Sequence, residues 1–161
     1  MSPVTPYHIS SPDLATSSRL AAHIGSKLRG GEVIELVSDL GGGKTTFVRG
    51  FAHGAGSIDR VTSPSFTLTN VYRTPQLELH HFDFYRLNDP GILRAELVEI
   101  IADPGNVVII EWAGIVAEVL PAERLTINIR VTGETSRDYI LACPDNLSYL
   151  LPPGAVRPTV A

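Results

Sequence analysis

Three consecutive glycines followed by a lysine and a threonine, at Gly41 to Thr45, form a segment that could bind phosphate groups. Glycines allow a backbone to wrap around a phosphate with its N–H groups inward, a lysine reaches the terminal phosphates, and the next hydroxyl is a ligand for Mg²⁺. A glycine-rich turn followed by a chance Lys-Thr pair is the alternative. The apolar run before the segment and the helical pattern after it favour the phosphate site, because the helix would place the positive end of its dipole there.

The segment departs from the phosphate-loop pattern G-x-x-x-x-G-K-[ST] at one position, since Ser38 stands where the first glycine belongs. A serine carries a Cβ through the turn, so we expect either an ordinary backbone conformation there or mild strain of about 1 kcal/mol. The other positions match the pattern. The sequence therefore predicts a nucleotide-binding loop over residues 38–46 that requires Mg²⁺.

A glutamate, Glu111, follows four consecutive apolar residues at 107–110. Such a run suits a strand covered on both faces, and an acid at the end of a strand beside a phosphate loop can bind the metal. The pattern alone is weak, because a glutamate at a strand end is as often simply solvated. Together with the loop, the metal-ligand interpretation is favoured.

Between these two features lies a segment from His80 to Arg86 that has the period of a strand. Alternation places His81, Asp83 and Tyr85 on one face and the intervening phenylalanines on the other, where we expect them in the core. Asp83 is either a partner of a nearby arginine or backbone group, or a carboxylate near the terminal phosphate that orients water or metal. The adjacent histidines point to opposite faces, so a metal shared between them is not expected.

The sequence predicts helices and strands that alternate along the chain and position these residues. Ser11 is the predicted cap of a first helix, with Pro12 at its first position. Two further helices are predicted, one over residues 44–55 and one that starts at Asp89-Pro90. Strands are predicted over residues 33–37, 66–73, 77–85, 107–110, 125–131 and 138–142.

This order of elements predicts a three-layer α/β domain of the P-loop NTPase class. Its mixed sheet is expected to combine parallel strands, which carry the phosphate loop and Glu111, with antiparallel strands at the hairpin segments. At 161 residues the chain has the usual size of one domain. We expect that domain over residues 1–151 and a flexible tail over residues 152–161.

The composition excludes several classes of protein. Apolar residues make up 43% of the chain and charged residues 19%, which indicates a folded domain rather than a disordered one. The net charge is −4 and lysines and arginines do not cluster, which argues against a protein that grips nucleic acid unaided. No stretch approaches the roughly 20 apolar residues of a membrane-spanning helix, and Cys143 is the only cysteine. A cytoplasmic protein without a membrane partner is therefore expected.

Taken together, four ordered motifs resemble the TsaE family, the small P-loop ATPases that assist synthesis of the threonylcarbamoyl modification on adenosine in tRNA. The motifs are Asp39 to Phe47, Thr62 to Leu68, His81 to Leu87 and Ile110 to Trp112, within a resemblance that covers roughly residues 11–142. The chain departs from the family at Ser38, usually a glycine, and at Ser65, usually a threonine.

The resemblance implies a role for particular residues. Lys44, Asp83 and Glu111 would be catalytic, and Thr45 and Glu111 would bind Mg²⁺ directly or through water. Nucleotide contacts would come from Ser17, Leu40, Gly41, Gly42, Gly43, Lys44, Thr45, Thr46 and Arg137. A switch-like loop would include Thr62, Ser63 and Ser65. Thr16 or Ser18 could take the place of Ser17, a surface ion pair could explain Arg137, and Trp112 would lie near the site or a partner surface, or be a half-buried core aromatic.

The function implied by the resemblance is that of an ATP-driven accessory protein. It would act on a complex of the TsaB and TsaD type, and it would meet tRNA only indirectly. Hydrolysis by the isolated chain is expected to be slow, because the sequence offers no obvious arginine finger.

Three other functions remain open from the sequence. An autonomous small-molecule or nucleotide kinase should carry an arginine-rich lid, whereas the arginines here are scattered. A GTPase should carry the guanine-reading Asn-Lys-x-Asp motif, which is absent. A nucleotide-stabilised scaffold would bind ATP and never hydrolyse it.

Overall fold

The computed structural model describes residues 4–39, 41–64 and 67–157 and arranges them around one seven-stranded sheet. The strands are β1 (Tyr7–Ser11), β2 (Val33–Val37), β3 (Thr69–Arg73), β4 (Glu78–Asp83), β5 (Asn106–Glu111), β6 (Leu125–Val131) and β7 (Arg137–Ala142). The α-helices are α1 (Leu14–Ser26), α2 (Lys44–Gly54) and α3 (Ile92–Ala102). Two 3₁₀ helices follow β5 and β7, at Ala113–Val119 and Asp145–Leu150.

The sheet has the strand order β1-β7-β6-β2-β5-β4-β3. Its four central strands, β6, β2, β5 and β4, run parallel, and β1, β7 and β3 pair antiparallel with their neighbours. The predicted α/β class with a mixed sheet is thus confirmed. Because β2, β4 and β5 are parallel, their carboxyl ends meet at one edge of the sheet, and loops at that edge commonly bind ligands.

Helices cover both faces of the sheet. Residues of α1 and α2 pack in one apolar cluster with alternate residues of the strands, and α3 packs with the 3₁₀ helix after β5 in a second cluster on the opposite face. In β5, Ile109 belongs to the first cluster and Ile110 to the second, and each is at most 1% exposed. The apolar run at 107–110 therefore forms the doubly covered strand that the sequence predicts.

Strand alternation decides which side chains face α2. In β4, Leu79 packs in the cluster with α2 and Phe82 packs in the opposite cluster. His81 and Asp83 share the face of Leu79, since side chains two residues apart point the same way. Glu111 shares the face of Ile109 for the same reason. The ends of β4 and β5 thus present Asp83, His81 and Glu111 on the side of the sheet where α2 begins.

Phe82 and Phe84 are buried in the cluster with α3, and their rings stack with centroids 5.8 Å apart, as predicted for core residues.

The strand β4 is shorter than the sequence predicts. β4 ends at Asp83, so Tyr85 lies beyond it and is 43% exposed. Beyond the end of the strand, the Tyr85 N–H is donated to the carboxylate of Asp83, at 2.9 Å.

The predicted cap of the first helix is wrong. Ser11 ends β1, and Asp13 caps α1 by accepting a 2.7 Å hydrogen bond from the N–H of Thr16. This hydrogen bond holds the pKa of the Asp13 carboxyl below its usual range. The aspartate carboxylate satisfies an unpaired helix N–H and also complements the positive end of the helix dipole.

The segment predicted as a tail begins at Pro152, and its described part contacts the first strand. His8 donates a 3.0 Å backbone hydrogen bond to the carbonyl of Val156, and the guanidinium of Arg157 lies 4.8 Å from the centre of the Tyr7 ring. The domain boundary at residue 151 stays a prediction. Across the described parts of the chain, none of the helices is both long enough and apolar enough to cross a membrane.

Candidate functional site

The glycine-rich segment connects β2 to the first turn of α2. Gly43 caps that helix with φ +95°, a left-handed conformation that glycine adopts without a steric penalty. Gly42 is required for a different reason, because a Cβ added there would overlap the Ser38 hydroxyl and approach the Asp39 carbonyl to 3.0 Å. No side chain caps α2, so its first N–H groups and the positive end of its dipole face the space in front of the loop.

Ser38 has an ordinary backbone conformation rather than a strained one, which is one of the two outcomes expected from the sequence. Among the described residues other than glycine, Leu68 and Trp112 alone have positive φ angles, so Ser38 has an ordinary backbone conformation. Its hydroxyl donates to the Asp39 carbonyl at 3.0 Å, and its own carbonyl accepts a 3.1 Å hydrogen bond from the Lys44 ammonium. The serine therefore fits the turn, and it does so beside Gly42, which leaves room for its side chain.

A pocket of about 340 Å³ lies in front of this loop. It brings together most of the residues predicted for the phosphate and metal site. The lining residues are Gly41, Gly42, Gly43, Lys44, Thr45, Thr46, Ser63, Asp83, Glu111 and Trp112. Leu40 and Ser65, also predicted for the site, lie outside the described residues.

The predicted switch-like segment borders the pocket through one residue. Ser63 lines it, whereas the Thr62 carbonyl accepts hydrogen bonds from Tyr72 at 2.9 Å and from Asn70 at 3.0 Å. Thr62 is therefore held against β3. Its predicted role in a switch remains a prediction.

Two carboxylates lie side by side at the floor of the pocket. Asp83 and Glu111 are paired across β4 and β5, and they are only 6% and 2% exposed. Asp83 accepts the Tyr85 N–H through Oδ1, and Glu111 Oε2 lies 3.5 Å from Nε2 of the buried His81. Two buried like charges are costly unless cations are near, so this floor is suited to a cationic ligand.

The oxygen donors of the pocket fit Mg²⁺. The Thr45 hydroxyl and the Asp83 and Glu111 carboxylates are hard ligands of the kind that Mg²⁺ prefers. In the parts of the chain that the structure describes, no group of three or more His, Cys, Asp or Glu side chains could hold a metal by itself. This donor set suits a Mg²⁺ ion that is also bound to water and substrate phosphates, which is its usual arrangement beside a phosphate loop.

Trp112 forms one wall of the pocket in a strained conformation. Its φ of 56° and ψ of 51° lie in the left-handed region, which costs a bulky residue about 1–2 kcal/mol. The indole is 40% exposed, lies with its centroid 4.9 Å from that of Tyr85, and has the Lys44 ammonium 5.0 Å from its centre. Of the placements considered for Trp112 from the sequence, the structure thus supports the one near the site.

A second, smaller cavity adjoins the loop at Gly42 and Gly43. It is lined by Leu14, Ser17, Ser18, Gly42, Gly43, Thr46, Phe47, Arg137 and Tyr139. Arg137 donates through Nε to the Gly42 carbonyl at 3.3 Å and through Nη1 to the Ser136 carbonyl at 2.8 Å. The predicted Arg137 therefore lies against the glycine loop, where backbone carbonyls accept its hydrogen bonds. Its contact with a nucleotide stays a prediction.

The first helix contributes two hydroxyls to this second cavity. Ser17 and Ser18 both line it, and the Ser17 hydroxyl shares a 2.8 Å hydrogen bond with Ser11. Thr16 accepts a hydrogen bond from Arg19 instead. Sequence reasoning missed Tyr139, whose position on β7 places it here. Burial raises the pKa of the Tyr139 phenol, against smaller opposing effects of Ser17 and Arg137, so its hydroxyl stays protonated at neutral pH.

Known proteins match this chain over most of its length. The family model described as threonylcarbamoyl adenosine biosynthesis protein TsaE matches residues 11–139. Two proteins named tRNA threonylcarbamoyladenosine biosynthesis protein TsaE are similar to this chain. That of Bacillus subtilis is 40% identical over 121 residues, 75% of each chain, and that of Treponema pallidum is 37% identical over 127 residues, 78% of this chain and 93% of the relative. The crystal structure of Bacillus subtilis YdiB aligns with a TM-score of 0.72 and 32% identity over 90% of each chain.

Proposed function

This chain belongs to the TsaE family of threonylcarbamoyladenosine biosynthesis proteins, and from this premise we propose that it binds and hydrolyses ATP with Mg²⁺ as an accessory to that tRNA modification. The observation that carries the proposal is the pocket at the start of α2. It places a glycine loop, one lysine, the Thr45 hydroxyl and two buried carboxylates around a space of about 340 Å³. These are the groups that a phosphate chain and its metal ion require.

Each group has a role that follows from its position. The loop N–H groups and the Lys44 ammonium bind the β- and γ-phosphates, helped by the dipole of α2. The Thr45 hydroxyl and Glu111 hold Mg²⁺, directly or through water. When bound, Mg²⁺ neutralises charge that develops on the phosphate oxygens. The nucleoside end of ATP is directed toward the second cavity, where Ser17 and Arg137 lie.

Asp83 is placed to orient the attacking water. Its carboxylate lines the pocket beside Glu111, and the Tyr85 N–H fixes one of its oxygens. A carboxylate held in this way accepts a hydrogen bond from a water molecule and aligns it with the γ-phosphorus.

Partners complete this arrangement. Within the described residues, no arginine lines the pocket, so none of them stabilises the charge that spreads over the γ-phosphate oxygens in the way an arginine finger does. Hydrolysis is therefore slow until a partner of the TsaB and TsaD type orders the loop that contains Ser63 or supplies the missing group. The nucleotide bound to the chain in turn changes the affinity of the chain for that partner.

The tRNA is met only indirectly in this proposal, because a net charge of −4 does not favour direct binding to a polyanion. The cytoplasm is the proposed place of action, as it holds both tRNA and the nucleotide.

The fate of the γ-phosphate tests this function against that of a kinase. With γ-labelled ATP, Mg²⁺ and the partner complex, we expect the label to appear as inorganic phosphate, because the Asp83 carboxylate lines the pocket in a position to orient a water molecule. The measurement is separation of labelled products over time, with nucleosides and nucleoside monophosphates added as candidate acceptors. Label transferred to an acceptor faster than to water would contradict the ATPase and support a kinase.

A further inference from the structure

One buried histidine next to Glu111 has no role in the account above. His81 is 0% exposed, and its Nε2 lies 3.5 Å from Oε2 of Glu111, whose side chain is 3% exposed. Neither ring nitrogen of His81 has a hydrogen-bond partner among the described residues. An imidazole in such a place is costly, since a buried polar atom left without a partner costs about 1–3 kcal/mol.

The surroundings of His81 are otherwise those of a core residue. It lies in β4 between Asn70 of β3 and Ile109 of β5, on the face covered by α2, and its ring centre is 6.4 Å from that of Tyr72. An apolar side chain would fill this buried position without the free-energy cost of an unpaired polar atom. The polar feature that distinguishes the site is the Glu111 carboxylate, whose Oε2 lies 3.5 Å from Nε2.

We propose that His81 is a positioning residue, which donates its Nε2–H to Glu111 Oε2 and so turns the other oxygen of that carboxylate toward Thr45 and Mg²⁺. The proposal rests on the function proposed above. The 3.5 Å separation exceeds the roughly 2.7–2.9 Å of a charge-assisted bond, so the proposal requires the Glu111 carboxylate to move closer to the ring when it binds metal. The contact to Glu111 assigns the tautomer that carries its proton on Nε2.

Such support matters because a glutamate has three rotatable bonds. A carboxylate that binds metal is usually held by a hydrogen bond from a residue behind it, and loss of that residue typically weakens metal binding about 10–100-fold. Asp83 receives this kind of support from the Tyr85 N–H. His81 provides the corresponding support for Glu111.

Two substitutions at His81 separate positioning from packing. His81→Leu keeps the bulk but removes the donor, whereas His81→Gln retains an N–H donor at about the place of Nε2. The matched control is His80→Leu, because the neighbouring histidine is also buried but faces the opposite side of the sheet. The readout is the affinity of the ADP-bound protein for Mn²⁺, a paramagnetic substitute for Mg²⁺, followed by electron paramagnetic resonance. ADP affinity without metal is measured in parallel.

We expect His81→Leu to weaken Mn²⁺ binding about 10–100-fold, and His81→Gln and His80→Leu to change it less than about threefold. ADP affinity without metal should stay within about twofold in all three. Unchanged Mn²⁺ affinity in His81→Leu overturns the proposal, and so does an equal loss of ADP affinity without metal, which would indicate a packing role. If His81→Leu does not fold, a loss of more than about tenfold in His81→Gln overturns it instead.

Glu111→Gln distinguishes this proposal from the one on which it rests. If nucleotide binding loses its dependence on metal in Glu111→Gln but keeps it in His81→Leu, the positioning role is overturned. The proposed function is then left intact. A wild-type chain whose nucleotide binding is indifferent to metal overturns both.

Discussion

In a Lys44→Ala variant, the affinity for ATP falls by about 100-fold or more. Lys44 lies in the first turn of α2 at the edge of the pocket, and it is the one cation among the described residues that line it. A hydrogen bond between charged groups contributes about 1.5–3 kcal/mol, and the ammonium is placed to make two, to the β- and γ-phosphates. Because each 1.4 kcal/mol corresponds to a factor of ten, the loss of both exceeds two orders of magnitude.

Isothermal titration calorimetry with ATP and Mg²⁺ measures this loss. The matched control is Lys27→Ala, which changes the only other lysine of the chain, at the exposed end of α1. The control should bind ATP with wild-type affinity. Wild-type affinity in Lys44→Ala would place the phosphates elsewhere on the molecule.

In an Asp83→Asn variant, ATP still binds but partner-stimulated hydrolysis falls by about 10²–10⁴-fold. The amide keeps the shape of the side chain and retains an oxygen that can accept the Tyr85 N–H. In the wild-type chain, this N–H lies 2.9 Å from Oδ1 of Asp83. It removes the charge that aligns the attacking water, and a positioned base of this kind typically contributes that factor to the rate. Binding of the phosphates by the loop and Lys44 does not depend on Asp83, so ATP affinity should change only several-fold.

Phosphate release in the presence of the partner complex measures the effect, and ATP affinity is measured on the same protein. Asp89→Asn is the control, since Asp89 also accepts a backbone N–H, from Gly91 at 2.9 Å, but is exposed and lies outside the pocket. Full partner-dependent function in Asp83→Asn would show that hydrolysis is not required and would favour a nucleotide-stabilised scaffold.

The central part of the fold could be predicted because its signals are local. The glycines and Lys44 specify the loop by their chemistry, and the apolar run at 107–110 specifies a strand buried on both faces. Period-two alternation in the segment that became β4 was enough to place His81 and Asp83 on one face. These three patterns determine most of the candidate site.

The first strand could not be predicted, since its stability comes from a distant partner. Tyr7–Ser11 pairs with Arg137–Ala142, about 130 residues later in the chain, and all its residues except Ser11 are partly or fully exposed at the edge of the sheet. Short edge strands carry little hydrophobic pattern of their own. Because this strand is not evident from the sequence, the sequence predicts Ser11 as a helix cap, although Ser11 belongs to the strand and Asp13 caps the helix.

Contacts that depend on sheet register were also out of reach. His81 meets Glu111 only because β4 and β5 pair with Asp83 opposite Glu111, and no spacing in the sequence fixes that register. The left-handed conformation of Trp112 is likewise a consequence of the turn that follows β5. The aromatic wall of the pocket and the support behind Glu111 therefore emerge from the structure alone.

The central claim is that this pocket hydrolyses ATP under the control of a partner. Its most direct test is the initial rate of phosphate release from ATP and Mg²⁺, first for the purified chain and then for the chain mixed with a TsaB–TsaD-type complex. We predict slow release by the chain alone and a rise of at least about tenfold in the mixture, since groups supplied by a partner accelerate P-loop NTPases strongly. Rapid release by the isolated chain, or a rate that the partner complex leaves unchanged, would contradict the account.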